Sequence, residues 1–96
     1  METKGTYKLT YVLDKEQKEL TVAVEVLLRD GFAQPFKNLY VGNATVNGQP
    51  YDDERLESCV DAKLMAERIG LEHKAKIAAK LKKEGKRFKI KKEEIK

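Results

Sequence analysis

The chain has 96 residues, a formal net charge of +4 and a single cysteine, which suits one domain over residues 1–96 with one hydrophobic core and leaves too little chain for a deep catalytic cleft as well. No run approaches the roughly 18 apolar residues of a membrane span, and the opening METKGTYKLT has neither an apolar run nor a small-residue cleavage site, so a soluble, cytoplasmic protein with no membrane partner is expected. Cys59 alone excludes an internal disulfide and fits a reducing compartment.

The charge is unevenly placed. Residues 1–50 sum to zero, residues 51–70 to −3 and residues 71–96 to +7. A neutral half is followed by an acidic middle and a basic end, a pattern that speaks to partners more than to fold.

Thr6 to Leu13 alternates, with Tyr7, Leu9, Tyr11 and Leu13 on one face, and ELTVAVEVLL repeats the pattern with Leu20, Val22, Val24, Val26 and Leu28. The period of two and the β-branched content predict two strands joined by the polar DKEQK as an antiparallel hairpin. Asp30-Gly31 ends the second strand, and Pro35 interrupts FAQPF because proline lacks the ladder amide. Phe32 and Phe36 flank it as a lid over the core or an anchor for another protein. NLYVGNATV reads as a third strand that reaches Asn47-Gly48, the dipeptide suited to a tight type I′ turn. Gln49-Pro50-Tyr51 reads as a short return strand or the approach to a helix, and the approach is favoured, since Pro50 fits poorly in a central strand.

Asp52 is placed to cap that helix, with Asp53 and Glu54 at the positive end of its dipole and Tyr51 and Leu56 as a hydrophobic staple. Leu56, Cys59, Val60, Leu64 and Met65 then form the expected core stripe. Gly70 either separates two helices or weakens one. Ala66, Gly70 and Leu71 resemble the turn of a helix-turn-helix, although Lys76 falls where an apolar residue should follow, and no family is assigned on it. Beyond Gly70, Leu71, Ala75, Ala78, Ile77 and Leu81 are expected inside and Lys76, Lys80, Lys83 and Arg87 outside, up to a stop at Gly85. RFKIK alternates again as a last strand, and KEEIK is expected to fray.

The catalytic inventory is thin. Cys59 and His73 lie about four helical turns apart and do not make a nucleophile pair; Cys59 reads as a core residue and His73 as a surface side chain. The acids Asp52, Asp53, Glu54 and Glu57 are explained by a helix start and lack calcium-loop spacing, so neither a metal nor a cofactor is expected.

The expected fold class is α+β: a small antiparallel sheet of three to four strands with one or two helices on one face and a C-terminal edge strand. The expected function is non-enzymatic binding of nucleic acid or a nucleoprotein, independent of sequence, with Lys76, Lys80, Lys83, Lys86, Arg87, Lys89 and Lys91 neutralising phosphates. The alternative is a protein-binding inhibitor or adaptor, by analogy with small charged phage and mobile-element proteins. It would grip its target through a sheet edge, Phe32 and Phe36, or the acidic Asp52, Asp53 and Glu57.

Overall fold

The computed structural model describes residues 2–30 and 40–96; Phe32 and Phe36 lie outside that range. The two alternating segments form long strands, β1 (Glu2–Leu13) and β2 (Glu19–Asp30), followed by β3 (Tyr40–Val46) and β4 (Gln49–Tyr51). A 3₁₀ turn (Glu54–Ser58), one α-helix, α1 (Ala62–Lys83), and β5 (Phe88–Ile95) complete the order. The five strands make one antiparallel sheet ordered β4-β3-β2-β1-β5. The α+β class is as read from the sequence, with four strands from the N-terminal half and β5 as the C-terminal edge strand.

The period-2 pattern sets the inner face. Tyr7, Leu9, Tyr11 and Leu13 of β1 are buried with Val22, Val24, Val26 and Leu28 of β2, and α1 covers them with Ala62, Met65, Ala66, Ile69 and Leu81. Pairing Tyr7 with Val24 and Leu9 with Val22 keeps both apolar sets on one side. The outer face carries Lys4, Thr6, Lys8, Thr10, Glu25 and Thr45 and meets solvent, as an antiparallel sheet allows.

Four expectations need correction. First, Gln49–Tyr51 is a strand and not a helix approach. Pro50 pairs with Thr45 at the sheet margin, where its missing amide faces no neighbour. Asn47 and Gly48 both have positive φ, 52° and 79°, as the predicted turn requires.

Second, the helix does not begin at Asp52. Asp53 caps the 3₁₀ turn by accepting from the Arg55 amide, the chain is extended at Cys59, and Asp61 caps α1 by accepting from the Leu64 amide at 3.0 Å. Two aspartates of equal capping strength divide the segment, and the division lets each part cover a different surface. Leu56 packs beside Gly42 of β3, while α1 lies over β1 and β2. Of the predicted stripe, Leu56, Cys59 and Met65 are buried; Val60 is 79% exposed and Leu64 44% exposed.

Third, α1 runs unbroken through Gly70, so the resemblance to a helix-turn-helix has no counterpart. A Cβ at Gly70 would stand 2.1 Å from the Tyr7 ring, and one at Gly5 would stand 2.2 Å from the Ala62 carbonyl carbon. These two glycines let helix and sheet approach closely. Beyond Gly70 the inward side chains are Ile77 and Leu81, whereas Leu71 and Ala75 are exposed.

Fourth, KEEIK does not fray. β5 extends to Ile95 and pairs along β1 from Leu13–Phe88 to Tyr7–Ile95, with a register shift between Thr10 and Tyr11 that leaves Lys91 without an opposite residue. That bulge moves the inward phase from Ile90 to Glu93 and Ile95. The molecule is elongated, with extents of 57 × 22 × 18 Å.

Candidate nucleic-acid interface

The basic end is built from the last turns of α1 and from β5. Gly85, at φ +70°, closes the helix: its amide donates to the Lys82 carbonyl and the Lys86 amide to the Leu81 carbonyl, at 3.1 and 2.8 Å. This is a Schellman stop, and Lys80, Lys82 and Lys83 sit in the final turns where cations complement the helix dipole. The Asp14 amide then donates to the Arg87 carbonyl, tying the start of β5 to the β1–β2 turn.

The seven predicted basic residues do not form one surface. The two flanks of α1 are marked by their contacts: Lys74 bonds Glu93 of β5 on one side, while Glu72 bonds Arg55 and His73 packs on Tyr51 on the other. Lys76, Lys80 and Lys83 follow Glu72 at spacings of four, four and three, so they continue along the flank away from β5 within an arc of about 60°. All three are exposed. Lys89 is opposite Val12 and therefore points from the outer face of the sheet. Lys86 lies 3.9 Å from Glu16 and 3.7 Å from Glu84, and Lys91 pairs with Glu19. Among the described residues no carboxylate stands within 4 Å of Lys76, Lys80, Lys83, Arg87 or Lys89. The coherent part of the prediction is thus the line Lys76, Lys80 and Lys83.

The acidic alternative is also divided. Asp53 is committed to structure: it accepts from the Arg55 guanidinium at 3.0 and 2.6 Å, and Arg55 reaches on to both oxygens of Glu72 at 2.6 and 2.9 Å. Hydrogen bonds from Arg55 hold the Asp53 and Glu72 carboxyls below the usual range. Asp52 and Glu57 remain exposed beside a shallow cleft bordered by Gly42, Asn43 and Pro50.

Sequence reasoning missed Glu93, because the bulge hides its inward phase. Its carboxylate accepts from the Tyr7 hydroxyl at 2.6 Å and from Lys74 at 2.9 Å. Burial, and then the bond to Glu93, raise the Tyr7 hydroxyl well above its ordinary value, while the Tyr7 and Lys74 bonds lower Glu93. His73, expected at the surface, is half-buried edge-on to Tyr51 at 5.3 Å, and its Nε2 has no hydrogen-bond partner among the described residues. Burial first, and Lys76 second, lower its pKa. Cys59 is buried as expected, and its thiol donates to the Asp61 carbonyl. Among the described residues no group of three or more His, Cys, Asp or Glu is arranged for a metal ion, and no helix is long and apolar enough to cross a membrane.

The fold and this surface define a five-stranded antiparallel sheet with one helix across it and a cationic line along that helix. No family model, curated protein or solved structure matches the chain.

Proposed function

We propose that the protein binds the phosphate backbone of a nucleic acid without catalysing a reaction on it. The observation that carries this reading is the run of Lys76, Lys80 and Lys83, exposed on one flank of α1 with no carboxylate within 4 Å among the described residues. Lys76 also lies in the field of Glu72, but that carboxylate is taken by Arg55. The three lysines span seven residues, about 10 Å of helix, over which one duplex strand presents about three phosphates.

Two features favour backbone over base recognition. The described aromatic residues Tyr7, Tyr11, Tyr51 and Phe88 pack inward, so among the described side chains the outer sheet face has no ring for stacking a base. Of the four arginines, Arg55 and Arg29 are engaged by Asp53 and Glu72 and by Glu2, and neither Arg68 nor Arg87 lies on the line of Lys76, Lys80 and Lys83. Lys89 and Lys92 on the other face are explained by the edge position of β5, where lysines and a bulge discourage strand addition.

The test is the triple reversal Lys76→Glu, Lys80→Glu and Lys83→Glu, titrated against mixed duplex and single-stranded nucleic acid at low and physiological salt. Binding should be lost with the circular dichroism spectrum intact, and the parent's log affinity against log salt should carry a slope of about −0.9 for each phosphate contact on duplex DNA. Reversal of Lys89 and Lys92 should leave binding in place. Equal binding by parent and triple reversal, or no binding by the parent near physiological salt, overturns the proposal.

A further inference from the structure

His73 is the one histidine of the chain, and α1 sets it on the same flank as the lysine line. Lys76 follows it by three positions and Lys80 by seven, so at about 100° per residue the three lie within an arc of about 60°. Residues three apart on a helix stand about 5–6 Å from each other at Cβ. Lys76 is exposed, whereas the His73 ring turns in against Tyr51 of β4 at 5.3 Å and buries Nε2 without a hydrogen-bond partner among the described residues.

These surroundings disfavour a second cation. Glu72, next to His73 in sequence, accepts on both carboxylate oxygens from Arg55 of the 3₁₀ turn, and Arg55 is held in turn by Asp53. β4 contributes the Tyr51 ring, and Ile69 and Ile77 stand one turn to either side of His73 on α1. An imidazolium here thus has Lys76 close by, while the neighbouring carboxylate is already committed. Burial first, and Lys76 second, hold the His73 pKa down, with Glu72 opposing them. A phosphate seated on Lys76 would reverse the sign of the charge that the ring meets on that side.

Taking the lysine line as the phosphate-binding surface, we propose that His73 takes up a proton from solvent when that line binds a nucleic-acid backbone, so that mild acid strengthens binding. The coupling is reciprocal: as far as the bound phosphate stabilises the imidazolium, the imidazolium tightens the grip on the phosphate. Binding raises the pH at which His73 titrates. The gain in affinity is therefore fully present below the value of the free chain and is lost as pH rises through the value of the complex. Histidine is the one side chain whose ordinary titration falls between about pH 5 and 8, so a response in that range can be traced to a single residue.

The test is a fluorescence-anisotropy titration of the whole chain against a short duplex DNA without terminal phosphates, at constant ionic strength, from about pH 7.5 to about pH 5.5. The affinity of the parent should rise about three- to tenfold on acidification, the effect of a neighbouring charge that shifts one group by about half a unit to one unit. His73→Phe, which keeps a ring against Tyr51, and His73→Gln should each bind with an affinity independent of pH over this range. In the parent, the imidazole resonances of His73 followed by NMR should titrate at a higher pH with the duplex than without it, and Lys76→Gln should narrow that difference. This measurement decides the matter if neither His73 variant folds. Binding by the parent that does not tighten toward acid, a tightening that persists in a folded His73 variant, or an imidazole that titrates at the same pH with and without duplex overturns the proton linkage and leaves the phosphate-binding reading standing. A parent that binds the duplex at none of these pH values overturns both.

Discussion

Gly70 shows how a local preference yields to packing. Alanine in place of glycine within a helix ordinarily stabilises by about 1 kcal/mol, yet here the added methyl would fall 2.1 Å from the Tyr7 ring. Gly70→Ala is therefore expected to destabilise by about 1–3 kcal/mol, the usual cost of overpacking, as measured by urea unfolding. Two further residues set the acid response. His73 has a lowered pKa, caused first by burial, so its contribution is fully present above the ordinary value of 6.5 and is lost as pH falls from there toward the folded value. Glu93, lowered by Tyr7 and Lys74, contributes above the ordinary carboxylate value of 4.5 and loses that contribution as pH falls below it. Unfolding free energy should thus decline in two stages on acidification. His73→Phe should remove the upper stage, and Glu93→Gln should flatten the lower one. A single decline confined to the carboxylate range in the parent would show that His73 titrates normally.

Among the elements, β5 departs most from its sequence reading, and the reason is specific. Phe88 and Ile90 announce a strand, but the alternation is lost at Lys91 and resumes one residue out of phase at Glu93 and Ile95. A bulge depends on the partner strand, which a pattern within one segment does not report. β1 and β2 were legible because their periodicity is unbroken over many residues, as was the helix stop because Gly85 is the residue that a positive φ favours. The split between the 3₁₀ turn and α1 was not legible: Asp52, Asp53 and Asp61 are all competent caps, and the choice among them is made by what Leu56 and Ala62 cover in three dimensions. That Lys76, Lys80 and Lys83 share an exposed flank of the helix was legible from their spacing, yet their separation from Lys89 follows from strand pairing and not from spacing. Two measurements check the elements. Asp61→Ala should cost about 1 kcal/mol through loss of the α1 cap. Removing residues 92–96 should cost about 2–4 kcal/mol, since it deletes the Glu93 bonds, the Ile95 contact and the ladder between Lys96 and Thr6. Denaturant midpoints unchanged by that deletion would contradict the pairing of β5 beyond Lys91.

For the whole molecule, charge and length act together. The acidic 3₁₀ turn precedes α1 and cationic turns end it, so opposite signs lie before the start and at the end of the helix in a molecule 57 Å long. Solution behaviour should respond to this: raising salt from tens to hundreds of millimolar should steeply weaken the proposed nucleic-acid binding, because that binding would release condensed counterions. The strand order has a different bearing, on the time course of synthesis. β1 is made first, occupies an interior place in the finished sheet, and receives its second neighbour from the last strand made. Until β5 leaves the ribosome, one side of β1 is a bare row of amides and carbonyls beside Tyr7, Leu9 and Tyr11. A nascent chain stalled before Phe88 is thus the form of this protein most exposed to chaperones and to pairing with its neighbours on the same message.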